Sequence, residues 1–419
     1  MAKKMSLLST LLLILGLLLS ACGGGSATQA APTEAQPAAD TKSESPTAAP
    51  TVAPAEPVKF GVVEPLTGPV ADSGSYVING MNIGIDKINA EGGVCGRPLE
   101  AIVMDGKNDP QESANAAELL ITRDQVPIIM GAWGSSSTLA VMPVMERHGV
   151  PLVVETSSSG KITLPETPGF AWTFRISPMS AMEAEASEPY LVSKLGMTKV
   201  AVLSVNNDWG RGAAQVFKEA IERQGGKVIS EDFIEQSATD VLPQLTKIKN
   251  SEADSILMTT SAGQIATILK QYVELGMTQT VLTTGGSNYP IAVMGLSSKE
   301  IVEGTYHLVF YVPERFDLAG DPELAKWYLE EYKKRGLPEV GLGESYRGFD
   351  GVNVVAEAFK AVDCKADPVA LQQALPKVTF KGLSGTVAFK ERDGHQSRPN
   401  IYLVQMVDGK MVVPDFQFK

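Results

Sequence analysis

The sequence predicts an α/β protein with parallel central sheets flanked by helices, divided into two similar units. Three observations carry this. From residue 58 onward, short runs rich in Val and Ile alternate with stretches of helical periodicity, the pattern of a parallel sheet covered on both faces. The alternation restarts once, after Phe174-Arg175-Ile176-Ser177-Pro178. The 419 residues, 44% hydrophobic and 20% charged, suit a globular chain of about two or three domains.

The chain opens with Lys3 and Lys4 and an apolar run from Leu7 to Leu19. That run falls short of the ~20 residues a bilayer-spanning helix needs and has the proportions of a signal-peptide core, so residues 1–21 read as a signal peptide. Leu19-Ser20-Ala21-Cys22 resembles the bacterial lipobox, which makes Cys22 the acylated first residue of the mature chain; the alternative is an ordinary cleaved signal followed by an unrelated Cys. From Gly23 to Pro57, Ala, Pro, Thr, Ser and Gly supply 27 of 35 residues, too little apolar surface to offset ordering entropy. Residues 22–57 are therefore expected to be a lipidated Cys and a disordered tether.

The folded part begins with a strand at Val58–Val63. Ile78, Met81, Ile85 and Ile88 lie at helical spacing within 78–91, and Leu99–Met104 is the next strand. Asp109-Pro110-Gln111-Glu112 marks a helix start, with Asp as cap, Pro in the first helical position and Glu in the third. A strand at Val126–Met130, a helix near 138–147 and a strand at Val150–Val154 complete the first series. The second series has a helix over 180–195, a strand at Lys199–Ser204, a helix over 211–224, strands near Val228 and at Ser255–Thr260, a helix over 264–275 and a strand at Thr280–Thr284. Residues 313–419 hold helices near 322–335 and 350–362 and β-type segments at 386–390, 400–407 and 411–414. So few helices make a poor third domain, and this stretch is expected to be shared between the first two.

The formal charge of −12 argues against nucleic acid or anionic lipid headgroups as the main partner. Three Cys exclude a disulfide-scaffolded mini-domain, and His148, His307 and His395 share no metal-binding spacing. No P-loop, dinucleotide fingerprint or nucleophile elbow occurs. Enzyme activity, a cofactor and a metal are accordingly not expected.

Three polar loops follow strands of the first series: Glu64–Gly74, Gly131–Thr138 and Glu155–Gly160. Runs of Ser, Thr and Gly before a helix present backbone N–H groups and hydroxyls that suit a carboxylate. Singly, each run also fits a helix cap or plain loop; three of them at strand ends of one sheet favour a site.

The chain resembles the bacterial solute-binding proteins of the leucine/isoleucine/valine-binding protein family, which serve ABC transporters. The likeness rests on Pro65-Leu66-Thr67-Gly68, Ile88-Asn89-Ala90-Glu91-Gly92-Gly93-Val94, Gly96-Arg97-Pro98-Leu99-Glu100, Asp105 with Asp109-Pro110, and Gly131 with Ser135-Ser136-Ser137-Thr138. It continues through Gly149-Val150-Pro151, Phe174-Arg175, Trp209-Gly210-Arg211-Gly212, Thr239-Asp240, Leu245–Lys249 and Phe380–Gly385, in order over 58–419. The resemblance implies a type I periplasmic binding fold: two Rossmann-like lobes joined by three crossovers, with a solute in the cleft. It implies lobe 1 at 58–176 and 312–377, and lobe 2 at 177–311 and 378–419.

By position it assigns hydroxyl and backbone contacts with a ligand carboxylate to Ser135, a backbone carbonyl to Thr156, a hydroxyl to Ser158, a first-loop contact to Ser73 and a second-lobe lid to Trp209; Trp209 packed within its own lobe is the alternative. Trp133, Ser136 and Ser287 complete the lining. Amino-acid binders of the family place an acidic residue after the strand that is Thr280–Thr284 here, whereas this chain has Gly285-Gly286-Ser287-Asn288. Either Glu155 substitutes or the ligand lacks an ammonium. In the family fold the helices before Cys95 and Cys364 share a lobe, so these two form a disulfide or remain separate buried thiols.

The resulting expectation is an extracytoplasmic, lipid-anchored, monomeric receptor. It captures a small carboxylate-bearing solute, a branched-chain or other amino acid, and delivers it to an ABC permease. An amide, urea-like or aromatic-acid solute, or a ligand sensor acting through a separate partner, is the alternative.

Overall fold

The computed structural model describes residues 55–286 and 289–418. The expected signal peptide, Cys22, the tether up to residue 54 and Ser287 lie outside the described residues. The first strands are β1 (Val58–Glu64), β2 (Leu99–Asp105), β3 (Ile129–Gly131), β4 (Leu152–Val154) and β5 (Thr173–Arg175). They are followed by β6 (Lys199–Val205), β7 (Lys227–Ile234), β8 (Ser255–Thr259), β9 (Thr280–Thr283) and β10 (Tyr306–Val309). The C-terminal strands are β11 (Thr379–Gly382), β12 (Gly385–Glu391), β13 (Gln396–Ser397), β14 (Tyr402–Val407) and β15 (Lys410–Val412).

Two sheets result, in the orders β11-β12-β13-β5-β4-β3-β1-β2 and β15-β14-β10-β9-β8-β6-β7. β1–β5 are mutually parallel, as are β6–β10, while the C-terminal hairpins add antiparallel edges. Each sheet is buried on both faces. In β1, Val62 enters the core on one side and Val63 the core on the other; in β6, Leu203 and Val202 divide in the same way. A strand with no solvent face has no reason to alternate polar and apolar residues, which is why these strands read as continuous apolar runs. This is the two-lobed type I periplasmic binding architecture.

The chain passes between lobes three times, after β5, after β10 and between β13 and β14. The last passage corrects the expected boundary. Residues 378–397 fall in the first sheet, not in lobe 2, because β11 and β12 form a hairpin whose continuation β13 pairs with β5, Gln396 opposite Arg175. The buried Arg175 guanidinium fixes this junction, with Nε donating to Gln396 Oε1 at 2.6 Å.

The long C-terminal helix Leu342–Ala361 packs on helix Ala71–Ala90 of the first lobe. Their backbones touch: a Cβ on Gly80 would lie 1.6 Å from the Ser345 carbonyl oxygen, and one on Gly348 1.9 Å from that of Val77. Beyond the ends of these two helices, Cys95 and Cys364 are disulfide-bonded, with Cα atoms 6.2 Å apart. Among the described residues no helix is long and apolar enough to cross a membrane.

Candidate functional site

The C-terminal ends of both parallel sheets face one another across the cleft, so the loops after β1, β3 and β4 meet those after β6, β8 and β9. Two cavities lie between them. The smaller, of about 20 Å³, matches a single polar group; Trp133, Ser135, Thr156 and Ser158 line it from the first lobe, and Trp209 and Gly285 from the second. The larger, of about 340 Å³, is lined by Ser73 and Tyr76 from the first lobe and by Gln236, Gln264, Tyr289 and Leu296 from the second. They are close neighbours, since Val70 lines the larger one and packs on Trp133 of the smaller.

The first-lobe wall is stitched together internally. Ser157 Oγ donates to the carbonyls of Ala132 at 2.9 Å and Trp133 at 3.0 Å, and the Ser159 N–H donates to Ser135 Oγ at 3.1 Å. Gly134 caps helix Ser135–His148 without a side-chain bond, so the helix opens onto the cavity with its backbone donors. A Cβ on Gly134 would fall 1.9 Å from Oδ1 of Asn108, which lines the same cavity, so any larger residue there would displace the Asn108 amide. On the second lobe, Asn207 caps helix Asp208–Arg223 through the Gly210 N–H at 2.9 Å. This brings Trp209 to the cavity while its ring packs on Val205, Ala213 and the backbone of Gly285.

Of the residues singled out from sequence, Ser135, Thr156, Ser158, Trp133 and Trp209 come together in one place. Ser73 lines the larger cavity instead. Ser136 joins the lobes, its hydroxyl donating to Asp208 Oδ2 at 3.0 Å. Glu155 departs from its expected place. Glu155 does not line the cavity itself: it borders a separate space with Tyr346, Arg347 and Asp350, and its Oε1 accepts the hydroxyl of the cavity-lining Thr156 at 3.2 Å.

Beside the cavities lies a buried charged cluster of which sequence reading singled out only Glu155: Glu64, Glu155, Glu183, Glu344, Arg347 and Asp350. Arg347 Nε is 3.0 Å from Glu344 Oε2, and its two terminal nitrogens donate at 3.4 Å to the carbonyls of Glu155 and Gly285, one in each lobe. Glu183 Oε2 accepts the Gly285 N–H at 2.7 Å. Burial pushes Glu183 up to about 7, against the pull of that bond and of Arg347. Burial and the facing Glu155 charge raise Glu64 well above the carboxylate range, and burial raises Asp350 to about 6. A buried Arg in the middle of a helix carries no sequence signal; Asn108 and Asn207, at strand ends, were within reach of the strand-end rule.

The Periplasmic binding protein family model matches residues 57–410. The chain belongs to that family. As a periplasmic binding protein it is a solute receptor. Among curated relatives, it is 25% identical over 358 residues to Leu/Ile/Val-binding protein homolog 3 of Brucella melitensis, covering 85% of this chain and 93% of that one. It is 24% identical to the leucine-, isoleucine-, valine-, threonine- and alanine-binding protein of Pseudomonas aeruginosa, with 81% and 87% covered. Two solved structures share the fold. Streptococcus pneumoniae LivJ in complex with isoleucine has a TM-score of 0.74 at 22% identity, with 86% of this chain and 100% of that one covered. A Rhodopseudomonas palustris solute-binding protein in complex with p-hydroxybenzoic acid also has 0.74, at 23% identity, with 85% and 95% covered.

Proposed function

We propose that this protein captures a small carboxylate-bearing solute between its lobes, outside the cytoplasmic membrane, and passes it to an ABC permease. One observation carries the reading: Ser135, Thr156, Ser158, Trp133 and Trp209, from both lobes, surround one cavity at the N-terminus of helix Ser135–His148. Contacts of that kind stabilise the closed form only when solute bridges the lobes. The relatives include proteins named for branched-chain amino acids, and similar folds hold isoleucine or p-hydroxybenzoic acid. The test is thermal unfolding against separate sets of amino acids, amides, aliphatic acids and aromatic acids. At least one compound is expected to raise the melting temperature in a saturable way; a flat response to every set overturns the reading.

In the same reading Cys22 carries the acyl anchor and residues 22–57 form the tether that holds the receptor near its permease. Mass spectrometry of the mature N-terminus decides this. Acylated Cys22 is the expected species; a mature chain that starts elsewhere without acyl mass refutes it.

A further inference from the structure

We propose that Arg347 and Glu183 form a latch between the lobes that is made when the cleft shuts, and that Glu183 takes up a proton from solvent as it is made, so that acid favours the shut form. The latch goes beyond the solute-binding reading, because it needs only the two lobes and acts on any solute the cleft takes.

Arg347 belongs to the first lobe through helix Leu342–Ala361 and stands between the pivot and the cleft. On one side it lines a space of about 10 Å³ with Ile176, Phe310 and Pro399, one residue from each passage between the lobes. On the other side a terminal nitrogen donates at 3.4 Å to the carbonyl of Gly285, which lines the smaller cavity from the second lobe. The other terminal nitrogen donates at 3.4 Å to the Glu155 carbonyl of its own lobe. This approach needs bare backbone: Gly285 and Gly286 have φ of 100° and 64°, and a Cβ on Gly286 would lie 2.5 Å from a terminal nitrogen of Arg347. Glu183, on helix Ser180–Leu191 of the second lobe, accepts the Gly285 N–H at 2.7 Å. Gly285 is thus held at its carbonyl by the first lobe and at its N–H by the second.

Glu183 is the one acid of the buried cluster that the second lobe supplies. The groups it meets are already engaged within the first lobe. Arg347 pairs with Glu344, and Glu64 lies against Glu155. Asp350 accepts the Leu383 N–H at 2.9 Å, the Ser384 N–H at 3.0 Å and the Ser384 hydroxyl at 2.7 Å. Tyr346 faces Glu183 from the same helix as Arg347. Of the Glu183 carboxylate, Oε2 holds the Gly285 N–H while Oε1 is buried without a hydrogen-bond partner. Shutting the cleft therefore encloses a half-satisfied carboxylate beside more acids than one Arg neutralises, and the neutral carboxyl is the form better suited to that space. Burial outweighs the Gly285 bond and the pull of Arg347, and holds Glu183 at about 7 in the shut form. In an open cleft water reaches the carboxyl and returns it toward its ordinary 4.5. The shut form then binds more protons between those values: its advantage is complete below pH 4.5 and lost as pH rises through 7.

Small-angle scattering of the intact protein without solute tests the latch. The wild-type radius is expected to grow from pH 5 to pH 8, as the closed-to-open ratio falls roughly 10-fold or more. Glu183→Gln, with nothing to titrate at that position, is expected to give one radius at both. Arg347→Lys keeps the charge but cannot span the two carbonyls, and is expected to be open at both. A Glu183 that served only folding would change unfolding and not the shape of the folded protein. Where Glu183→Gln does not fold, infrared spectra of the wild-type protein serve instead, and the band of neutral carboxyls must fade over the same pH range in which the radius grows. A wild-type radius indifferent to pH overturns the proposal. So does a variant that opens and shuts like wild type, or a carboxyl band that fades over a different range. None of these results bears on whether a solute binds, and a protein that bound no solute would still show the latch.

Discussion

Lys161 of the first lobe holds Asp208 of the second across the mouth of the cleft, Nζ to Oδ1 at 2.7 Å. With the Ser136 hydroxyl on the other carboxylate oxygen, Asp208 is gripped from two sides. The pair is partly solvated, so its worth is about 0.2–1 kcal/mol. Asp208→Asn is therefore expected to shift the closed-to-open ratio by roughly 5-fold or less and to weaken solute binding by the same factor. Small-angle scattering without solute should show a larger radius for the variant, and the difference should shrink in high salt.

In the proposed site, Ser135 and Ser158 belong to the internally bonded first-lobe wall. Removing one hydroxyl from a buried charged acceptor costs ~1.5–3 kcal/mol, so Ser135→Ala and Ser158→Ala are each expected to weaken binding roughly 10- to 150-fold. Calorimetry with the solute found by thermal screening checks this, with circular dichroism confirming unchanged folding.

Glu183 makes stability depend on pH. Its carboxyl lies at about 7 when folded against an ordinary 4.5, so the folded state binds more protons between those values. Its contribution is complete below pH 4.5 and is lost as pH rises through 7, an effect on the order of 3 kcal/mol. Asp350, at about 6, acts in the same direction. Urea unfolding at pH 5 and pH 8 should show wild type weakening with pH and Glu183→Gln weakening less, since Gln keeps an acceptor for the Gly285 N–H without the charge.

Cys95–Cys364 closes a sequence separation of 269 residues within the first lobe. Replacing both by Ala is expected to cost about 2–5 kcal/mol in denaturant unfolding and to leave solute affinity unchanged, because the bond lies outside both cavities.

Local rules read well where local chemistry decides. Asp109-Pro110-Gln111-Glu112 is a helix start, with Asp109 Oδ1 accepting the Glu112 N–H at 2.9 Å. The strand expected at Lys199–Ser204 runs to Val205. Short strands such as β5 and β10 escaped notice because three or four residues give no period, and His307 in β10 hides its burial behind bonds to Thr283 and Thr305. The sheet to which β11–β13 belong is set by pairing with Arg175, more than 200 residues earlier in the chain, which no local pattern encodes. Within the site, adjacency in sequence is a poor guide at Glu155, which does not line the smaller cavity and touches it only through the hydroxyl of Thr156.

The Arg175 guanidinium also has a kinetic consequence. Besides Gln396 it grips the Ser159 carbonyl at 2.6 Å, the Ser157 carbonyl at 3.3 Å and Thr163 Oγ1 at 2.9 Å. The loop at Ser157–Ser159 is thereby tied to β5 and β13, two of the three strands from which the chain crosses between lobes. The first-lobe half of the proposed site is braced within its own lobe, so closure would bring the Trp209 side onto a formed half-site. Capture then proceeds in two stages, collision with a preset half-site followed by a shutting motion. In stopped-flow traces the observed rate should rise with solute concentration and level off at the rate of shutting.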